Sequence, residues 1–349
     1  MVLMTDVRFQ SFLQKHGLNR LISPLLGLGV SVILVIYLAR QIDYFHFLRL
    51  AKNVPLRFFF GLFALFLLLN IFRALRFRIL LDRKELPLGV LFPITLCHNF
   101  FVRTLPLMVG ELSYIALLHR HLKIPVSEGV RSLFEARLFD LQFVIVGGIF
   151  GLLGMGGQST GHVLTILALA GGLILGNRVL FSVFPKGAKR IWACIVRIPP
   201  WRHTALLDSV GHKLGEISLQ LNRFRCLRPL LKVLTCSLCT YGINLSCHLL
   251  FLSALNVNQR LNVLLVVISV VMIASWFPFS LSGFGVIEGS WAASLVMFTD
   301  MEVGGALSVG LFIHCCQVLM TALLGLLGFV LLAPRVRVRL MLARNQNYK

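Results

Sequence analysis

The feature that most constrains this chain is a succession of apolar stretches, each about twenty residues long and separated by short polar or basic segments. A bilayer core of about 30 Å is crossed by roughly 20 apolar helical residues. That length picks out Leu21 to Ala39, Phe58 to Leu75, Leu86 to Val109, Leu133 to Met155 and Val163 to Phe184 in the first half. In the second half it picks out Leu230 to Leu255, Leu261 to Phe277 and Val303 to Leu332, with Phe279 to Phe298 as a broken or re-entrant segment. The chain is therefore expected to be an all-α polytopic integral membrane protein, with about seven to nine transmembrane helices. The first stretch is longer than a signal-peptide core and is followed by Arg40 and Gln41, so it is expected to stay as an anchor.

Composition agrees. Of 349 residues, 57% are hydrophobic and only 13% charged, which excludes an ordinary soluble domain. The balance of 34 Lys and Arg against 13 Asp and Glu, a net charge of +21, would suggest nucleic acid in a soluble protein. Here the basic residues flank apolar stretches, where they set orientation and attract anionic headgroups, so no nucleic-acid partner is expected. Eight cysteines are scattered, several inside apolar stretches, and act as small buried hydrophobes rather than a disulfide framework. Cys236 and Cys239 form a Cys-x-x-Cys without a second ligand pair, so neither a metal nor a cofactor is expected.

Positive-charge bias gives the orientation. The stretch 185–228 carries Lys186, Lys189, Arg190, Arg197, Arg202, Lys213, Arg223, Arg225 and Arg228, and the tail 334–349 carries Arg335, Arg337, Arg339, Arg344 and Lys349. Both are expected on the cytoplasmic side of a cell inner membrane, with Gly156 to Gly161 on the other. The chain then reads as one transmembrane domain, 1–349, with halves 21–184 and 229–333 joined by the basic linker 185–228. The linker is expected to lie on the inner leaflet through its amphipathic Ile191 to Val196. Arg73 to Lys84 is again strongly basic and cytoplasmic, so Leu86 to Ile124 must enter and leave on one side, as two passes or as a re-entrant pair broken at Pro106 and Gly110.

Within the apolar stretches one pattern appears twice: Leu105-Pro106-Leu-Met-Val-Gly110-Glu111, and Phe277-Pro278 through Gly283-Phe-Gly285 to Glu288. Pro and Gly open the helical ladder, and a carboxylate at membrane depth costs roughly 2.5–3.5 kcal/mol on insertion scales. Such breaks belong where backbone is packed in protein or lines a cavity. The two fall near the same relative place in each half, as in an inverted-topology repeat with discontinuous helices at a shared midplane site.

Other charges fall near these breaks. Arg73 and Arg76 share a helical face after the second apolar stretch, and guanidinium forks suit lipid phosphate. Arg103 lies just ahead of the first break, where snorkelling to the interface is difficult. From Glu128 to Asp140 acid and base alternate at helical spacing: Glu128 with Arg131, Arg131 with Glu135, Arg137 with Asp140. Glu135, Arg137 and Asp140 are therefore expected either in salt bridges along one helix or facing a polar cavity. There is no His-Glu-x-x-His, P-loop, Gly-x-Ser-x-Gly or sugar-nucleotide Asp-x-Asp pattern, so transport without ATP, downhill or ion-coupled, is expected over catalysis.

Four of these pieces, in this order, give the chain a resemblance to a known family: Ala74-Leu-Arg76-Phe-Arg78-Ile-Leu-Leu, Arg103-Thr-Leu-Pro106 through Gly110-Glu111, Glu135-Ala-Arg137-Leu-Phe-Asp140, and Pro278 through Glu288-Gly. They resemble the integral-membrane domain of lysylphosphatidylglycerol synthase/flippase proteins. That resemblance implies a flippase-like lipid transport domain, moving a phospholipid between leaflets. This chain shows no aminoacyl-transferase domain after its last span, so it is not expected to synthesise an aminoacyl lipid itself. The expected partners are membrane lipids, an anionic phospholipid or polyprenyl phosphate, handled by Arg73, Arg76, Arg103, Glu111, Glu135, Arg137, Asp140 and Glu288. Pro106, Gly110, Pro278, Gly283 and Gly285 are the expected helix breaks. The competing readings are a membrane-embedded headgroup transferase or glycosyltransferase, and a scaffold for a separate lipid-modifying enzyme.

Overall fold

In a computed structural model of the chain, the apolar segments are helices of two distinct lengths. The structure describes residues 44–83, 85–105, 109–155, 171–179, 226–276 and 283–346, together with residues 40, 168 and 224. The expected first span 21–39, Pro106, Pro278, and most of 163–184 and of the linker 185–228 lie outside the described residues.

After a short amphipathic α1 (Tyr44–Asn53), the first half runs α2 (Leu56–Leu80), α3 (Leu88–Thr104), α4 (Val109–Leu122) and α5 (Val126–Met155). The second half runs α6 (Leu227–Ala254), α7 (Leu261–Ala274), α8 (Val286–Phe298) and α9 (Val303–Gln346). Residues 171–179 are also helical. Among the described residues, each half therefore contains a run of a long helix, two short ones and a long one, α2 to α5 and α6 to α9. Helices α2, α5 and α6, and α9 as far as Ala333, are long and apolar enough to cross a membrane, and only 28–44% of their most apolar windows is buried. Their outward faces expose Leu152, Leu153, Leu238, Leu326 and Val330, the surface a lipid environment requires. The chain is a multi-pass membrane protein.

The short helices do not span on their own. At 1.5 Å per residue, the 17 residues of α3 and the 14 of α4 reach about 25 and 21 Å, and the 14 of α7 and 13 of α8 about 21 and 20 Å, all short of a 30 Å core. The apolar run Leu86 to Val109 is therefore not one helix. α3 stops at Thr104 because Leu105, the residue before Pro106, takes an extended conformation with φ −90° and ψ 139°. α4 then doubles back so closely that a Cβ on Gly110 would lie 2.5 Å from Val102 Cα and 2.6 Å from Phe101 O. The second break is made differently. Gly283 and Gly285 both have left-handed backbone, φ 83° and 84°, which side-chain-bearing residues rarely adopt.

The two halves interlock through α5 and α9. Gly151 on α5 receives α7, its Cβ position 2.7 Å from Asn262 O, and Gly154 meets the Asn262 side chain. Gly328 on α9 receives α3, its Cβ position 2.9 Å from Pro93 O, with Gly325 against Phe100. Helices in lipid associate by such close packing at small residues rather than by burying apolar surface from water. The long helices α2 and α6 lie against each other, with Phe58 edge-on to Phe251 at 5.4 Å. A paired amide, Gln142 to Asn177 at 2.9 and 3.0 Å, ties residues 171–179 to α5.

Candidate functional site: a polar centre at two helix breaks

Apolar helices that cross a membrane bring their few charged residues together or leave them at great cost. Here α2, α3, α4 and α5 bring together nearly all of the charges singled out in the first half. α2 continues five residues beyond its expected end and so carries Arg73 and Arg76 inside the bundle. Arg76, 3% exposed, grips Asp140 of α5 with both terminal nitrogens; Nη2 donates to Oδ2 at 3.0 Å. Ser237 Oγ and Thr240 Oγ1 of α6 lie 3.4 and 3.5 Å from its Nη1. Arg137, one turn before Asp140, donates to Glu111 in the first turn of α4, where the helix N-terminus also favours a carboxylate. His98 Nε2 lies 3.6 Å from the other Glu111 oxygen, and its Nδ1 lies 3.3 Å from Ser113 Oγ.

The helical spacing from Glu128 to Asp140 therefore describes one pair correctly and misses the others. Arg131 does donate to Glu135 four residues on, at 3.1 Å, with both side chains buried. Glu128 instead pairs with Arg83 at 2.9 Å, Arg137 with Glu111, and Asp140 with Arg76. Asp140 leaves Arg137, three residues away, for Arg76 on a facing helix, which offers it a bidentate pairing. Glu135 is fully buried against Arg131, with Tyr114 close by, and does not line an open cavity.

Arg73 and Arg103 complete the centre. Arg73 lies within electrostatic range of Asp140, Arg137, Arg76 and Arg103, and no carboxylate among the described residues is within salt-bridge distance of it. Arg103, in the last turn of α3, is within range of both Arg137 and Glu288. Arg76, Arg137 and Arg73 lie around Asp140, and Arg137 also binds Glu111.

At the second break, Glu288 in the first turn of α8 accepts a hydrogen bond at Oε2 from the Gly285 N–H at 2.7 Å, closing the helix start. Its Oε1 lies 2.6 Å from His314 Nδ1 of α9. Farther along α9, Gln317 Nε2 donates to His248 Nε2 at 3.2 Å, and His248 Nδ1 donates to Asn244 O at 2.8 Å. The three histidines, His98, His248 and His314, were not singled out from sequence. Each stands alone in an apolar stretch with no motif spacing, and the only signal was the cost of a polar ring at membrane depth, the same signal that drew attention to the carboxylates.

An open groove of about 620 Å³ is lined by Ile79 of α2 and by Leu227, Arg228, Leu231, Lys232, Thr235 and Cys236 at the start of α6. Among the described residues no cluster of three or more His, Cys, Asp or Glu could hold a metal, and Cys236 and Cys239 are free thiols.

No curated protein and no solved structure matches the chain. Residues 25–325, most of its length, match the family described as the lysylphosphatidylglycerol synthase TM region. With both helix breaks and the arginine centre inside that match, the chain belongs to the lysylphosphatidylglycerol synthase transmembrane-region family.

Proposed function

We propose that this protein moves an anionic lipid, a phospholipid or a polyprenyl phosphate, between the leaflets of a cell inner membrane. The headgroup passes the arginine centre while the acyl or prenyl tails stay in lipid. The observation that carries this reading is Arg73, a guanidinium on an apolar helix beyond salt-bridge distance of any described carboxylate. Uncompensated positive charge in hydrocarbon is costly, and a phosphate offsets it with bidentate hydrogen bonds. The lateral groove, apolar along its length and bordered by Arg228 and Lys232, suits a lipid tail beneath an anionic headgroup.

The long-short-short-long runs α2 to α5 and α6 to α9 among the described residues support an inverted repeat, with the closing helix of each run holding the first short helix of the other. Inverted repeats with discontinuous helices serve alternating access, in which two similar units exchange conformations around one site. An acidic residue lies in the first turn of the helix after each break, Glu111 and Glu288, and Arg103 is within electrostatic range of Glu288. A cytoplasmic linker and C-terminus fit the basic residues there.

Headgroup accessibility in proteoliposomes tests the proposal. With fluorescent phosphatidylglycerol in both leaflets and a membrane-impermeant quencher outside, protein-containing vesicles should lose nearly all their signal and empty vesicles only about half. Equal quenching of both, with phosphatidylglycerol and polyprenyl phosphate alike, would overturn it.

A further inference from the structure

Two cross-helix ion pairs of the centre are built differently. Arg76 meets Asp140 with both terminal nitrogens and is 3% exposed, so its guanidinium is committed to that partner. Arg137 meets Glu111 through Nη2 alone, and the two side chains are 37% and 26% exposed. Glu111 gives only Oε1 to this contact; its Oε2 is buried without a hydrogen-bond partner among the described residues. His98 Nε2, at 3.6 Å, is too distant to supply one, and its Nδ1 faces Ser113 Oγ at 3.3 Å. Arg137 is thus a reachable guanidinium held by one underbonded carboxylate.

Depth and backbone fix this arrangement. From Glu128, paired with Arg83 just past the basic end of α2, the helix α5 rises about 14 Å to Arg137 at 1.5 Å per residue, close to half of a bilayer core. A guanidinium at that depth is costly without an anion. Glu111 cannot leave it by moving its helix, because Gly110 is wedged against Val102 Cα and Phe101 O. Only the side chain can swing. Away from Arg137 the carboxylate still lies in the first turn of α4, where the helix dipole favours it.

We propose that Glu111 is a built-in competitor for a phosphate seat on Arg137: it holds the guanidinium while no lipid is bound and yields it to the headgroup phosphate. The proposal rests on the lipid-phosphate reading above. A carboxylate held through one nitrogen leaves the rest of the fork to a phosphate, whose oxygens accept two parallel N–H bonds. While Glu111 occupies the seat, the apparent affinity for lipid is reduced in proportion to the fraction of molecules in which Arg137 is free. The same carboxylate, returning to Arg137, displaces the phosphate and lets the headgroup leave. Glu111 thus sets how tightly the site holds its anion.

The test is calorimetric binding of dihexanoyl phosphatidylglycerol to the full-length protein in detergent. Glu111→Gln and Glu111→Ala, each checked for intact helicity, should bind it about three- to tenfold more tightly than the unaltered protein. Arg137→Gln should bind it at least about tenfold more weakly, and Glu128→Gln equally well. Adding Glu111→Gln to Arg137→Gln should bring no gain, because the contested seat is then missing. Unchanged or weaker binding in both Glu111 variants, a gain that survives without Arg137, or full binding by Arg137→Gln overturns the competitor and leaves the lipid-phosphate reading standing. Absence of binding in all of these proteins overturns both.

Discussion

Arg76 of α2 and Asp140 of α5, 64 residues apart in sequence, meet in a bidentate ion pair at the heart of the bundle, backed by Ser237 and Thr240 of α6. The pair lies within the first half of the chain, and Ser237 and Thr240 tie it to the second. It also fixes the height at which Arg73 and Arg137, one turn before each partner, face the centre.

Breaking this pair should be costly. Arg76→Ala leaves Asp140 without its partner, and removal of one member of a buried ion pair typically costs about 3–5 kcal/mol. Replacing both with Arg76→Met and Asp140→Leu should cost clearly less than either single change. Thermal unfolding in detergent, followed by tryptophan fluorescence, gives the comparison.

The Arg83–Glu128 bridge should behave oppositely. Arg83 is 43% exposed. Exposed pairs contribute about 0–1 kcal/mol, so Arg83→Ala should leave the unfolding midpoint nearly unchanged and more so at high salt.

Gly110→Ala should open the first hairpin, because the added methyl would meet the backbone of Val102 and Phe101, which has no rotamer to yield. Overpacking of this kind costs about 1–3 kcal/mol. Gly242, in the middle of α6, has nothing within 4 Å of its Cβ position. Gly242→Ala should be neutral or stabilising by up to about 1 kcal/mol through helix propensity. The pair of midpoints, measured side by side, separates a crowded glycine from an incidental one.

Gly151→Val and Gly328→Val should weaken the same kind of joint from opposite sides, since each holds a short helix of the other half within 3 Å of its Cβ position. If the halves are equivalent, both variants should show increased protease cleavage and similar losses of thermal stability. A large effect at one position and none at the other would contradict the equivalence.

Much of the architecture was legible in the sequence because membrane helices announce themselves through length and apolarity. Pro106 and Gly110 marked the first break, and Gly283 and Gly285 the second, since backbone chemistry is local. What could not be read was whether Leu86 to Ile124 made full passes: an apolar run looks the same whether it spans or turns back, and the answer depends on the tight fit of Gly110 against α3. Pairing of charges was misread for a related reason. Spacing on one helix showed Arg131 with Glu135, yet the choice of Glu111 by Arg137 and of Asp140 by Arg76 is made between helices. His314 was invisible as a partner of Glu288 because 26 residues separate them and only the crossing of α8 and α9 brings them together.

The central claim is that lipid phosphate passes the arginine centre between the two hairpin tips. It is tested most directly by the rate at which fluorescent phosphatidylglycerol changes leaflets in proteoliposomes containing the unaltered protein, Arg103→Ala or Glu111→Gln, each checked for intact helicity. The account predicts rapid exchange in the first and at least about tenfold slower exchange in both variants, a loss of 1.4 kcal/mol or more. Exchange at the same rate in all three would contradict it.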